Sequence, residues 1–266
     1  GKSSATTTTS TTTVTPTTPT ETEKYSNEWV DGKWYNLDGS QTYEGTMTWK
    51  CNSTGWWIED STGWYPTSSW QKIDGKQYYC GNTGAIATGF TYIDDGYYFF
   101  NSKNVQVKGW CDYTSRSDEY KAKQSEYLKK IKYTDKTDDA PASYEYKPEE
   151  GTYDALEYEA FTKLEKKLFK TGLTNKDTGK VVTGFYTEDG ITFYFDKSTG
   201  EKLTGWQTIE DKKYYFGDFG VMAHGIIKIG SKQYDFEGDG VLPEGFTETK
   251  NGLRYGEDGE FVTEVF

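Results

Sequence analysis

The sequence predicts a mainly β protein: a solenoid of stacked β-hairpin repeats of about 20 residues, in two blocks, with an inserted α-helical hairpin. Bulky residues, most of them preceded by glycine, recur at intervals of 20 or 21 residues. Aromatic residues make up 17% of the 266 residues and all hydrophobic residues only 33%, so the aliphatic supply is too small for one large core. One long segment lacks the repeat and spaces its apolar residues as a helix does.

Residues 1–24 are predicted to form a disordered linker, because Thr and Ser fill almost the whole segment from Thr6 to Thr22. Such a segment buries too little apolar surface to offset the entropy lost on ordering. Linkers of this composition join separate modules. We therefore expect the chain to be part of a larger multi-modular surface protein.

The first repeat block is predicted over residues 25–111, with repeats that begin at Trp70, Phe90 and Trp110. In the repeat that begins at Trp70, two β-prone runs flank Asp74-Gly75. Asp-Gly supplies the positive φ angles of a tight hairpin turn, so each repeat is expected to be one hairpin. One hairpin cannot bury its own face, but stacked hairpins can.

The segment from Gly45 to Ser69 is interpreted as a break in the period. It carries four of the nine tryptophans. Neighbouring Trp56 and Trp57 cannot both point inward if the chain is extended there, because side chains alternate along a strand. At least one of these two rings is therefore expected on the surface.

Residues 112–171 are predicted to be a helical insertion. Tyr120, Tyr127, Leu128 and Ile131 fall on one helical face, and a second stripe runs from Tyr153 to Leu168. Gly151-Thr152 is a start signal for the second helix, and Gly172 is the predicted stop.

The second repeat block is predicted over residues 172–266. The bulky residue that begins each repeat is called its ridge residue. The ridge residues of this block stand 20 or 21 positions apart, at Phe185, Trp206, Ile226, Phe246 and Phe266. Each repeat of this block is predicted to have the same order of strand, turn, strand and glycine loop, as in the repeat that begins at Trp206.

Charge and rare residues exclude several classes of function. The net charge of −12 argues against nucleic acid and anionic membranes, since both are bound through Lys and Arg. The chain has no apolar run long enough to span a membrane. A single histidine, His224, and scattered cysteines give no catalytic arrangement, no metal site and no cofactor site, so no enzyme activity is expected.

The three cysteines, Cys51, Cys80 and Cys111, allow at most one disulfide. All three pairings, and a fully reduced state, remain open from the sequence.

Several repeats resemble the cell-wall-binding or glucan-binding repeat of choline-binding proteins, glucosyltransferases and clostridial toxin tails. The resemblance lies in a Gly-Trp or Gly-Phe pair, a turn near Asp-Gly, a Tyr-Tyr-Phe triplet and a glycine loop. It covers roughly residues 27–111 and 172–266 and leaves out the insertion. The matching repeats are Trp70–Gly89, Phe90–Gly109, Phe185–Gly205, Trp206–Gly225 and Ile226–Gly245.

In the choline-binding branch, the resemblance implies that ligands sit between successive hairpins, in a cage of three rings. One ring stands seven residues after the start of a repeat. In this sequence, only Tyr97 is aromatic among the residues that hold that position, which are Gln77, Tyr97, Thr192, Lys213, Gln233 and Leu253. This departure favours an uncharged saccharide over choline.

The sequence therefore predicts a non-catalytic extracellular module, secreted or on a bacterial cell surface, that binds a polysaccharide or oligosaccharide by aromatic stacking. A neutral α-glucan such as starch is the favoured ligand. The alternatives are a cell-wall anchor for choline, teichoic acid or another surface polymer, and a structural spacer. The candidate binding residues are Trp49, Trp56, Trp57, Trp64, Trp70, Tyr98, Trp110, Trp206 and Tyr215.

Overall fold

The computed structural model describes residues 27–36, 40, 41, 43, 45–112, 117–236 and 238–243, together with one short strand pair near the end of the chain. The predicted linker 1–24 and the ridge residues Phe246 and Phe266 lie outside these residues. The chain divides into two compact parts between Ala87 and Thr88. They are called the N-terminal and C-terminal parts below.

The N-terminal part consists of three hairpins. The strands are β1 (Glu28–Val30), β2 (Lys33–Tyr35), β3 (Thr48–Asn52), β4 (Gly55–Glu59), β5 (Ser69–Ile73) and β6 (Lys76–Cys80). Four of them form one sheet in the order β2-β1-β5-β6, in which β1 and β5 run parallel. Strands β3 and β4 form a separate two-stranded sheet.

The segment from Gly45 to Ser69 is therefore not a break in the period, as the sequence suggested. It folds into the five-residue antiparallel pair β3–β4, with Trp49 opposite Ile58. Ridge residues accordingly follow one another at Trp29, Trp49 and Trp70, at the same spacing as in the rest of the chain. The sequence did not indicate this repeat because Trp49 follows Thr48 instead of glycine and the β3–β4 turn is Ser53-Thr54 instead of Asp-Gly.

The C-terminal part continues the hairpins and adds the helices. Its strands are β7 (Gly89–Ile93), β8 (Gly96–Phe100), β9 (Gly109–Cys111), β10 (Gly172–Thr174), β11 (Gly184–Glu188), β12 (Ile191–Phe195), β13 (Gly205–Ile209), β14 (Lys212–Phe216), β15 (Gly225–Ile229), β16 (Lys232–Phe236), β17 (Arg254–Tyr255) and β18 (Phe261–Val262). Each forms an antiparallel pair with a neighbour in this order.

Turn chemistry sets the register of the hairpins, as predicted. At the β5–β6 turn, Asp74 has φ 48° and Gly75 has φ 75°. The β11–β12 turn repeats this with Asp189 at 52° and Gly190 at 78°. Two consecutive residues in the left-handed region match the twist of the flanking strands.

A backbone hydrogen bond docks the tail of each of several repeats onto the preceding hairpin. Ile86 N donates to Trp56 O at 2.7 Å, and Met222 N donates to Thr192 O at 2.9 Å. The same bond recurs from Leu242 N to Lys213 O at 2.8 Å. Within each part, the hairpins are thus stacked as successive layers of a β-hairpin solenoid.

The insertion contains the two predicted helices, α1 (Ser117–Lys130) and α2 (Tyr153–Leu164), the second followed by a 3₁₀ helix at Glu165–Phe169. Thr152 caps α2 as predicted, accepting from Ala155 N at 3.3 Å. Helix α2 ends at Leu164, where Glu165 adopts φ 49°, and the 3₁₀ helix ends at Phe169, before the predicted stop at Gly172, which belongs to β10.

The insertion replaces the turn of a hairpin. Strand β9 pairs with β10, with Trp110 opposite Leu173, although the whole insertion separates them in sequence. Both helices pack on the main core cluster of the C-terminal part, which contains Phe161, Phe193 and Phe219. The helical hairpin is therefore held by its own repeat and by those that follow it.

Candidate functional site

Three aromatic rings come together at the stacked hairpins of the N-terminal part, and they are called the aromatic cage. The centroids of Trp49 and Trp56 lie 6.4 Å apart with their planes at 77°. Tyr78 lies 5.2 Å from Trp49 at 61°. Trp49 is 40% exposed and Trp56 47% exposed, whereas Tyr78 is buried.

Strand alternation puts the cage on one face of β3–β4. Trp49 stands opposite Ile58 and Cys51 opposite Trp56, so these four side chains share a face. Tyr78 comes from β6 of the next repeat, which the bond from Ile86 N to Trp56 O holds against this hairpin. Ring faces are electron-rich, so exposed rings set at an angle to one another suit a cation without hydrogen-bond donors.

In the β13–β14 repeat, a lysine side chain occupies the position that corresponds to the third ring of the cage. Trp206 and Tyr234 lie 5.0 Å apart and correspond to Trp49 and Tyr78. Lys213 stands where Trp56 stands in the cage, and its Nζ lies 5.0 Å from the Trp206 ring centroid. An ammonium of this protein thus takes the position that a ligand cation would need.

A second lysine fills the place beside Trp110. Trp110 and Phe193 lie 5.4 Å apart, and Lys202 Nζ lies 5.7 Å and 5.0 Å from their respective centroids. Lys202 is fully buried, and its Nζ donates to Leu168 O at 2.6 Å. Trp110 Nε1 also donates to Glu188 Oε2 at 2.8 Å, which ties this ring into the core.

Two further repeats lack a complete ring set. Phe185 lies 5.3 Å from Tyr214, but Thr192 holds the third position. Phe90 and Tyr97 stack on each other at 4.4 Å and 11°, which leaves no space between them. The cage of the β3–β4 repeat differs from these four places because it combines three rings, two of them exposed.

The other predicted residues are scattered along the repeats. Trp70 is half-buried against Tyr79 at 5.1 Å, and Tyr98 is half-buried on β8. Tyr215 is half-buried against the Tyr153 ring at 5.2 Å. Their role as binding residues stays a prediction.

Trp56 and Trp57 point to opposite faces of β4. Trp56 is exposed and Trp57 half-buried, which confirms that at least one of the pair lies on the surface. Trp57 Nε1 donates to Glu59 Oε2 at 2.9 Å and lines a separate cleft. The sequence missed Tyr78 as a cage residue, although it occupies the same repeat position as Tyr214 and Tyr234.

Trp64 is exposed on a loop that Asp60 organises. Asp60 Oδ1 accepts from the backbone N–H groups of Thr62 and Trp64 at 2.8 and 2.9 Å. Hydrogen bonds from Tyr43 and Thr62, reinforced by these N–H groups, lower the pKa of Asp60 to about 2. The carboxylate is therefore ionised at neutral pH and acts as a fixed acceptor for the loop.

In the part of the chain that the structure describes, no cluster of three or more His, Cys, Asp or Glu side chains is arranged to hold a metal ion. Neither of the described α-helices has the length and apolarity needed to cross a membrane.

Stacked hairpins of about 20 residues define this chain as a β-hairpin repeat protein. Family models agree with this class. The choline-binding repeat matches residues 203–242, and the cell wall binding repeat matches residues 68–86 and 183–201. These three segments therefore match choline-binding and cell wall binding repeats, as the resemblance predicted. Such repeats are binding modules, and they imply a surface or secreted protein.

Two solved structures are similar to this chain, and the first shares its fold. Choline binding protein F from Streptococcus pneumoniae, solved in the presence of a peptidoglycan analogue, aligns with a TM-score of 0.52 and 15% identity over 87% of this chain. CbpJ from Streptococcus pneumoniae aligns with a TM-score of 0.48 and 18% identity over 86%. This chain covers 61% of the length of each. No curated protein matches the sequence.

Proposed function

We propose that this chain is a non-catalytic module that attaches a larger surface or secreted protein to a cell-wall polymer by binding choline-type quaternary ammonium groups in the cage of Trp49, Trp56 and Tyr78. The observation that carries the proposal is the open, three-ring geometry of this cage. The protein's net charge of −12 adds long-range attraction for a cation.

The geometry of the cage supports a cation over a sugar as its ligand. Its walls are ring faces, which attract a trimethylammonium group and exclude water from it. Two lysine ammonium groups lie over the rings of Trp110 and Trp206 in other repeats, which supports a cation as the ligand of the cage. The α-glucan favoured by the sequence remains a prediction for this chain, and the structural spacer is one outcome of the test.

Isothermal titration with choline tests the proposal, with 3,3-dimethyl-1-butanol as a neutral ligand of the same shape. We expect choline to bind with a Kd of about 1 mM, near −4 kcal/mol, and the neutral analogue at least about tenfold more weakly. Trp56→Ala should abolish choline binding. Trp64→Ala removes an equally exposed tryptophan outside the cage and should leave binding unchanged.

Equal binding of choline and its neutral analogue would contradict a cation site. Absence of any binding by the wild-type protein would favour the structural spacer.

A further inference from the structure

The β3–β4 hairpin has a second concave site on the face opposite the cage. This site, the Trp57 cleft, has a volume of about 240 Å³ and is lined by Asn52, Thr54, Trp57, Glu59, Tyr65 and Thr83, among others. Alternation along β4 separates it from the cage, because Trp56 and Trp57 point to opposite sides of the hairpin. All of these residues belong to the N-terminal part.

Two aromatic side chains of the cleft are held in place. Trp57 Nε1 donates to Glu59 Oε2 at 2.9 Å, so the indole is fixed by a carboxylate on its own strand. Tyr65 is 40% exposed, and its ring packs on the backbone of Gly84, where a Cβ would overlap it. Gly84 also has φ +81°, so the close approach of the ring depends on glycine at that position.

The rest of the lining is polar and differs from the cage. Asn52, Thr54 and Thr83 supply carboxamide and hydroxyl groups, and Glu59 supplies a carboxylate. Asn52 Oδ1 accepts from Thr54 N at 2.8 Å, which orders the β3–β4 turn at the edge of the cleft. A ligand for this site must therefore offer one apolar face to a ring and several hydroxyl groups to the rim.

We propose that the Trp57 cleft binds one pyranose ring of a saccharide, so that a single hairpin binds a sugar on one face and a quaternary ammonium group on the other. A pyranose has apolar C–H faces that stack on aromatic rings and a periphery of hydroxyl groups. The cleft is smaller than the roughly 300–1,000 Å³ of pockets for drug-sized ligands, which suits a single ring. The inference does not rest on the cation site, because the two sites share no residue.

Indole N–H signals in 1H–15N NMR spectra test the proposal on the whole chain. Each tryptophan gives one such signal, which is assigned by single substitution. The probes are maltotriose and chitotriose, and glucitol serves as an acyclic polyol control. We expect one of the two sugars to shift the Trp57 signal, to leave Trp49 and Trp56 unshifted, and to bind equally well when choline is saturating.

Variants separate this site from the cage. Tyr65→Ala should lower the affinity for the sugar by about tenfold or more and leave choline binding intact. Trp56→Ala should do the reverse, and Tyr92→Ala, an exposed aromatic residue of neither site, should change neither. Thr83→Ala changes an exposed loop residue and should weaken sugar binding less than Tyr65→Ala does. It tests the same site if the Tyr65 variant does not fold.

The proposal is overturned if neither trisaccharide shifts Trp57 at tens of millimolar, if glucitol acts as the sugars do, or if choline displaces the sugar. Failure of choline to bind would overturn the proposed function and leave this site standing.

Discussion

The ammonium of Lys213 lies 5.0 Å from the centre of the Trp206 ring, at the repeat position that Trp56 holds in the aromatic cage. The same scaffold thus has an open cage in one repeat and one occupied by its own cation in another. Cation–π attraction of about 0.5–2 kcal/mol is available to either cation. A lysine at this position therefore competes directly with an external ligand.

Replacing that lysine with a ring should open a second cation site. In Lys213→Ala, the rings of Trp206 and Tyr234 lose their internal cation, and Lys213→Trp adds a third ring like that of the cage. We expect the stoichiometry of choline binding, measured by isothermal titration, to rise from one to two in Lys213→Trp and to stay at one in Lys213→Ala, which lacks the third ring. Lys212→Ala, on the same strand and exposed, is the control. A stoichiometry that stays at one in both variants would refute this account.

The reverse exchange should close the cage. Trp56→Lys places an ammonium where the ligand cation would bind, whereas Trp56→Phe keeps a smaller ring. We expect Trp56→Lys to lose choline binding and Trp56→Phe to weaken it by only about tenfold, since roughly one ring contact is reduced. The measurement is the choline Kd by titration, with Trp64→Lys as the charge-matched control. Equal losses in the two Trp56 variants would mean that charge at this position is irrelevant.

The hairpins could be predicted from the sequence because the features that form them, a tight turn and the alternation of side chains, are local. Asp74-Gly75 imposes the turn, and alternation exposes one of Trp56 and Trp57. Trp49 and Trp56 were predicted as binding residues, but the repeat that contains them was missed because it lacks both local signals. Trp49 follows Thr48, and the β3–β4 turn is Ser53-Thr54 instead of Asp-Gly.

Long-range features had no signal in the sequence. Strand β10 is three residues long, and its pairing with β9 across the whole insertion depends on how the helices pack. The burial of Lys202 could not be predicted either, because lysine is usually exposed. Here its side chain is buried and its ammonium lies over the rings of Trp110 and Phe193.

Only one of the three cysteines should react in the folded protein. Cys51 is exposed on β3, whereas Cys80 and Cys111 are buried, and burial raises the pKa of both buried thiols to about 12. Because the thiolate is the reactive form, we expect mass spectrometry after maleimide treatment to show a single adduct at Cys51. Denatured protein should give three adducts. A native disulfide would reduce that number.

The adduct at Cys51 should also block the cage. Cys51 stands opposite Trp56 on the same face of the β3–β4 hairpin. A bulky maleimide there should weaken choline binding, and the Cys51→Ser variant treated in the same way should bind normally. Undiminished binding by the fully labelled protein would place the ligand elsewhere.

A buried carboxyl on α2 should make the stability of the C-terminal part fall with rising pH. Glu157 is 5% exposed, and its Oε1 has no hydrogen-bond partner. Burial, with the nearby Asp218 carboxylate, raises its pKa from 4.5 to about 8. The folded state therefore keeps a proton that the unfolded state releases between these two values.

Because the unfolded state binds fewer protons in this window, the stability contributed by Glu157 is complete below pH 4.5 and declines until pH 8. The decline approaches about 1.4 kcal/mol per pH unit. Glu157→Gln has no proton to lose, so its urea midpoint should exceed that of the wild type at pH 8 and approach it at pH 4.5. Glu159→Gln, an exposed neighbour paired with Lys163, is the control. Identical pH profiles for wild type and Glu157→Gln would show that Glu157 titrates normally.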